Sequence, residues 1–369
     1  MPLSLPADPP SARSLTGVVP QLFRALDGRS DWFPPATSAI VLVVDGLGAA
    51  NLAARAGHAR FLAQAGSKKD VARTVFPSTT ATALTSLLTG APAGQHGIVG
   101  YRARIPGTDA VLNQLRGWDT DGLPSSWQRA PRLVAERPSF VVSKSAYAGT
   151  GFTSATMDEA EFVGVADLTE RAQRAAELAS GYPGSFVYLY MPDLDAAGHQ
   201  HGWESEEWIA GLERVDAAAR ALDAALAPGT GVGVTGAPGM VDVPRHRQIL
   251  LGEDDRLLEG VRLIGGEPRM LHLYAEEGRA TDVLRTWRED ESGRSWVMSR
   301  DEAIAAGLFG PVDPEVRERI GDVLVAARAG VAYYDDREAD KASQRMIGQH
   351  GSLTSQERVV PLLRLGAFA

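Results

Sequence analysis

The sequence predicts an α/β fold, with a mostly parallel central sheet, helices on both faces and an inserted α+β cap. Three observations carry that prediction. Continuous apolar runs end in turn residues, as strands buried on both faces do. These runs alternate with segments whose apolar residues recur at helical spacing. The alternation breaks over residues 246–340 and resumes beyond them.

Residues 1–37 read as a proline-containing leader and an N-terminal helix, RSLTGVVPQLFRAL (13–26), interrupted near Pro20, which lacks an N–H. SAIVLVVDGLG (38–48) is the first strand and the Ala-rich stretch 49–65 its helix. VARTVFPSTT (71–80) opens into a helix over ATALTSLLTG, with Gly90 as its C-cap. SFVVSKSA (139–146) and SFVYLYMPD (185–193) are further strands, separated by the amphipathic LTERAQRAAELAS (168–180). SEEWIAGLERVDAAARALDAALA (205–227) is the longest helix, and GTGVGVTG (229–236) the next strand. The core is therefore expected over 38–245 and 341–369. Inside the inserted cap, 246–340, GVRLIGG and RMLHLYA look like strands, and ATDVLRTWRED and DPEVRERIGDVLVAAR like helices. This cap is expected to shape a leaving-group pocket. The chain closes on the apolar run VVPLLRL.

Composition narrows the chemistry. A length of 369 residues favours one large domain with an insertion, or two lobes. The absence of Cys excludes disulfides, thiolate metal sites, iron–sulfur clusters and thiol nucleophiles. Any metal must be held by His, Asp, Glu or hydroxyl oxygen, and there are seven His. A net charge of −9 argues against a nucleic-acid surface. No signal-peptide pattern opens the chain, and no apolar stretch approaches roughly 18 residues, so a cytoplasmic protein without a membrane partner is expected.

Four segments at the ends of apolar runs carry candidate chemistry, since ligands of open α/β sheets bind at the carboxyl ends of strands. Asp45 ends the first strand, where a carboxylate can ligate a cation or simply make an Asp-Gly turn. Ser78, Thr79 and Thr80 precede a helix, a place suited to capping or to binding an anion. A hydroxyl there can attack a phosphate once its proton is made acidic. Asp195 and His199 stand four apart, on one face of a helix, with Asp193 and His201 nearby. His350 lies in GQHGSLT, ahead of a glycine. Carboxylate–imidazole ligation of this kind suits zinc, with manganese or iron as alternatives. Trp203, Trp208 and Tyr101 lie near these loops and suit either packing or stacking on a base.

These stretches together resemble the alkaline phosphatase superfamily, most closely its type I phosphodiesterase/nucleotide pyrophosphatase family. The resemblance rests on VLVVDGLG, FPSTTATALTSLLTGAPAGQHGIVGY, YMPDLDAAGHQHG and the late HGSLT followed by VVPLL, bracketing roughly residues 38 to 366. It implies an alkaline-phosphatase-like core and a hydrolase of small phosphorylated substrates. It also implies two-metal phosphoryl transfer through a phospho-threonine intermediate. Under it, Thr80 is the nucleophile, Asp45 and Thr80 ligate one metal, and Asp195, His199 and His350 ligate the other.

Two departures stand against the resemblance. The family's Asp-His pair after the strand matching GVGVTG is replaced by Ala237-Pro238, so two ligands are lost. Tyr101 occupies the place of a phosphate-contacting Asn, where its phenol can still donate. Three readings follow: a phosphodiesterase scaffold of reduced or lost activity, a non-catalytic protein binding a phosphorylated ligand or partner, and rescue of the lost ligands by Asp242 or His246.

Overall fold

The computed structural model describes residues 5–120 and 122–369; the first four residues of the leader lie outside it. Strand β1 (Ser38–Val44) forms because all seven of its residues are buried, which a helix of this length at a surface does not allow. Its alternate side chains feed two cores. Ala39, Val41 and Val43 pack into one, and Ile40, Leu42 and Val44 into the other.

The central sheet comprises β1, β2 (Val71–Arg73), β3 (Ser139–Ser143), β4 (Glu161–Gly164), β5 (Phe186–Met191), β6 (Thr230–Gly236) and a strand near the C-terminus (Val359–Gly366). Four more strands build a separate antiparallel sheet inside the inserted stretch: β7 (Val261–Glu267), β8 (Met270–Ala275), β9 (Ser295–Ser299) and β10 (Val323–Ala327), which makes the last strand β11. The central order is β2–β11–β6–β1–β5–β3–β4. Pairings from β6 through β4 are parallel, and β11 runs antiparallel to both β6 and β2. The second sheet is ordered β7–β8–β10–β9.

Helices cover both faces of the central sheet. On one lie α1 (Leu15–Leu26) and α2 (Thr80–Thr89). On the other lie α3 (Leu168–Gly181) and α5 (Glu206–Ala225), with α4 (Asp193–His201) between them in sequence. Asp167 caps α3 and Ser205 caps α5 through side-chain bonds to backbone N–H groups.

Three local expectations are corrected. Helix α1 runs unbroken through Pro20; only the bond that Pro20 cannot donate is missing, and burial of Val18, Val19, Leu22 and Phe23 outweighs it. The expected helix over 49–65 is two short ones, Ala49–Ala54 and Arg60–Gln64, parted around Gly57, where helix propensity is lowest. DPEVRERIGDVLVAAR is helical only over Pro314–Arg317. Its VLVAA portion is β10, buried throughout, because its β-branched residues pack between two strands.

Among the described residues, no helix is long and apolar enough to cross a membrane.

Candidate active site

Asp45 follows β1 directly and is almost fully buried. The turn behind it needs Gly46, whose φ is +77° and whose absent Cβ would stand 2.7 Å from the Asp195 Cα. That close approach brings the end of β1 against α4. Thr80 opens α2, and the preceding Thr79 makes no capping bond, so the helix terminus keeps its preference for negative charge. The Thr80 hydroxyl donates to Asp45, 3.2 Å from Oδ2 and 3.4 Å from Oδ1. The Tyr190 phenol, at the end of β5, donates to the same Oδ2 at 2.5 Å.

Asp195 and His199 project from one face of α4, with Nε2 of His199 3.5 Å from Oδ1 of Asp195. His350 comes from the loop after the short strand Gly348–Gln349, its Nε2 3.6 Å from the same oxygen. The His199 Nδ1 lies 2.7 Å from the Gly348 carbonyl, which it can reach only as the donor, leaving Nε2 free to ligate. Asp195 Oδ1 and His350 Nε2 are buried polar atoms without a hydrogen-bond partner. A tetrahedral ion with bonds near 2.0–2.1 Å separates its ligand atoms by about 3.4 Å. These three donors, all within 4.8 Å of one another, therefore fit a divalent metal with little movement.

The charges respond to that crowding. Burial, and after it the negative charge of Asp195, raises the Asp45 carboxyl to about 7 despite the bonds from Tyr190 and Thr80. Burial works against a charged His350, but Asp195, Glu267 and Asp45 around it prevail and raise it to about 9. The two imidazoles hold Asp195 below its ordinary value although burial opposes them. A cation seated among these groups would replace the imidazolium proton as the countercharge.

Thr80, Asp45, Asp195 and His199 line one cleft of about 420 Å³. Beside it lies a chamber of about 370 Å³ walled by Leu84, Val141, Phe152, Met157 and Phe162, and the two share Leu115, Arg116, Tyr147 and Tyr190. Neither is lined by any residue of 246–340, which corrects the expectation that the insertion shapes this pocket. Its sheet is tied to the core instead, through the fully buried ion pair of Arg269 with Glu357.

Other candidates fall elsewhere. Tyr101 does not line the cleft; its carbonyl accepts from the Gln114 N–H beside the small hairpin Arg102–Arg104/Val111–Asn113. Trp208 is fully buried in the core and Trp203 stacks under Arg55, so both pack rather than face the cleft. Val44 pairs with Gly236, so Ala237 leaves β6 beside Asp45 from β1; Ala237 and Pro238 are buried. The carboxylate of Asp242 is taken up by the Trp203 and Glu204 N–H groups, and His246 is exposed on a short helical turn. Neither lines the cleft, so the geometry lends rescue no support.

One buried acid went unnoticed in the sequence. Glu267, at the end of β7, lies with Oε2 3.8 Å from Nδ1 of His350, and burial raises its carboxyl to about 7. Followed by Pro268 in a Gly-Gly-Glu-Pro stretch, it carried no signal beyond that of a turn acid.

The sequence pattern of the family described as type I phosphodiesterase/nucleotide pyrophosphatase matches residues 39–353. Among solved structures, murine ectonucleotide pyrophosphatase/phosphodiesterase 5 superposes with a TM-score of 0.69 at 19% identity, covering 89% of this chain and 88% of that one. The human protein of the same name gives 0.69 at 18%, covering 89% and 88%. Phosphonoacetate hydrolase from Sinorhizobium meliloti 1021, solved with phosphonoacetate, gives 0.68 at 18%, covering 90% and 91%. At these identities the likeness is one of fold. No curated protein sequence matches.

Proposed function

The chain belongs to the type I phosphodiesterase/nucleotide pyrophosphatase family, and from that premise we propose that it is a phosphoric ester hydrolase with Thr80 as nucleophile. The observation that carries this reading is the Thr80 hydroxyl at the mouth of α2, hydrogen-bonded to Asp45 and open to the cleft. A murine relative solved as an inactive Thr-to-Ala form with AMP supports it. In the proposed cycle the Thr80 oxygen bonds to phosphorus and the ester P–O bond breaks. Asp45 orients the hydroxyl and takes its proton, which it passes to water, the α2 terminus favours the phosphoryl oxygens, and the departing oxygen takes a proton from water. Water then cleaves the phospho-threonine and regenerates Thr80. Asp195, His199 and His350 would hold a divalent cation, zinc by donor type, supplying Lewis-acid stabilisation of the phosphoryl charge. The chamber behind Tyr147 would take an apolar or aromatic substituent of the ester.

Ala237 and Pro238 offer no ligand, so the Asp45–Thr80 side has two donors where the family pattern has four; we read turnover as reduced for that reason. That same replacement favours a second reading, a non-catalytic protein that holds a phosphorylated ligand. Acid-quenched incubation with bis(p-nitrophenyl) phosphate and added zinc or manganese separates the two. A phosphoryl group on the Thr80 peptide, absent in Thr80→Ala, supports the hydrolase. Ligand binding without phosphorylation or turnover supports the binding protein.

A further inference from the structure

The inserted lobe brings a carboxylate, Glu267, up to His350. Only 6% of it is exposed, and its Oε1 is a buried oxygen without a hydrogen-bond partner. Its Oε2 faces Nδ1 of His350 at 3.8 Å, and that nitrogen is likewise buried and unpartnered. The Thr79 hydroxyl, next to the candidate nucleophile, also interacts with this carboxylate. The loop is shaped to admit it. Gly351 has φ +126°, and a Cβ there would stand 2.6 Å from the Glu267 Cγ, so the loop backbone lies directly on the acid. Ser78 pins the same loop, donating its N–H to the Gly351 carbonyl at 3.0 Å and its hydroxyl to the Ser352 carbonyl at 2.7 Å.

We propose that Glu267 is a positioning residue: from β7 it holds the Nδ1 side of His350, turning Nε2 toward the Asp195 carboxylate. An imidazole that ligates through one nitrogen commonly donates the other to a carboxylate or carbonyl, which fixes the ring. His199 has its carbonyl, from Gly348; Glu267 is the corresponding group for His350. Closing 3.8 Å to hydrogen-bond length takes a shift of about 1 Å, the kind of tightening that occurs when a site is loaded. The lobe would thus tune metal affinity from behind the site without lining the cleft.

This rests on the reading that Asp195, His199 and His350 hold a metal, so the experiment tests both separately. Zinc affinity is measured on the full chain by competition with a chromogenic chelator, for wild type, His350→Ala, Glu267→Gln and Glu267→Leu. Melting temperature is recorded metal-free for each. The expected result is binding that His350→Ala abolishes and that both Glu267 variants weaken about 10- to 100-fold. The near-isosteric Gln variant should keep its metal-free melting temperature, which separates positioning from folding. Affinity within twofold of wild type in Glu267→Gln, with His350→Ala still deficient, overturns the role of Glu267 alone. Zinc binding indifferent to His350→Ala overturns the metal reading and this one with it.

Discussion

The Thr80 hydroxyl donates to the Asp45 carboxylate across 3.2 Å, joining the first residue of α2 to the end of β1. Because the Tyr190 phenol donates to the same oxygen, Asp45 is held still while it orients Thr80. As the proposed nucleophile, Thr80 should be all-or-none in the chemistry. Thr80→Ala is expected to lower phosphodiester hydrolysis on the order of 1,000-fold or more and to abolish phosphopeptide formation, whereas Thr80→Ser retains both. Equal rates for wild type and Thr80→Ala would remove Thr80 from the mechanism.

Ala237 emerges beside Asp45 because Gly236 and Val44 are in register, so a carboxylate restored there would face the same space. Ala237→Asp with Pro238→His should raise bound zinc from one to two per chain and increase hydrolysis of bis(p-nitrophenyl) phosphate. Ala237 is fully buried, so the metal-free double variant should lose on the order of 2 kcal/mol of stability, regained on adding zinc. Metal analysis, turnover and melting with and without zinc check this. No gain in either metal or turnover refutes the account of reduced activity.

What the sequence made legible was local. Strand β1 was readable because an unbroken apolar run ending in Asp-Gly has few other uses, and Asp195 and His199 because four residues span one helical turn. Long-range partners left no such trace. Glu267 meets His350 only through the pairing of a second sheet against the core, and Arg269 meets Glu357 for the same reason. The apolar chamber is walled by residues 84–190, brought together by the sheet order rather than by any motif. VLVAA was misread because a short apolar run following a helical turn fits both periods until a neighbouring strand decides between them.

Arg269 and Glu357 bind each other in a two-pronged ion pair, at 2.8 and 2.9 Å. Arg269 also donates to the carbonyls of Ala327, Ala329 and Val331, and Glu357 accepts the Ser352 N–H two residues beyond His350. Removing one partner strands the other charge in the interior. Arg269→Met should therefore cost about 3–5 kcal/mol in urea unfolding. Arg269→Met with Glu357→Leu should recover part of that, the lost bond to Ser352 preventing full recovery. A cost below about 1 kcal/mol for the single change would show that the lobe and loop are joined by other contacts.

Two histidines outside the site each lend the fold stability that acid removes. Burial, reinforced by Arg319 near His96 and Arg300 near His272, lowers both from 6.5 to about 3. In each, Nδ1 accepts a backbone N–H, from Ile98 or Gly321, which protonation there would break. Between pH 3 and 6.5 the unfolded chain binds these protons and the folded chain does not. The stability these two histidines lend is thus fully present above 6.5 and falls with pH, by about 1.4 kcal/mol per unit for each, while the raised Asp45 and Glu267 carboxyls change stability in the opposite sense over the same range. Urea midpoints at about pH 7 and about pH 5 compare wild type with His96→Asn, whose amide oxygen can still accept from Ile98; the slope of the variant should shift toward greater stability in acid by about 1.4 kcal/mol per unit. An unchanged slope in that variant would place the sensitivity elsewhere.

Tyr147 stands at the junction of the cleft and the apolar chamber, 36% exposed, its ring centroid 6.2 Å from that of Tyr190. Its exposure means that truncation should leave the fold intact, while its position makes it the wall an aromatic ester group must pass or rest against. Tyr147→Ala is expected to raise KM for bis(p-nitrophenyl) phosphate about 10-fold, roughly the worth of one lost aromatic contact, and to change kcat little. For methyl p-nitrophenyl phosphate the change should be smaller, if the methyl group lies toward the chamber and the leaving group toward solvent. Equal effects on both esters would mean that the chamber does not receive the substituent, and that the aromatic wall serves the core rather than the substrate.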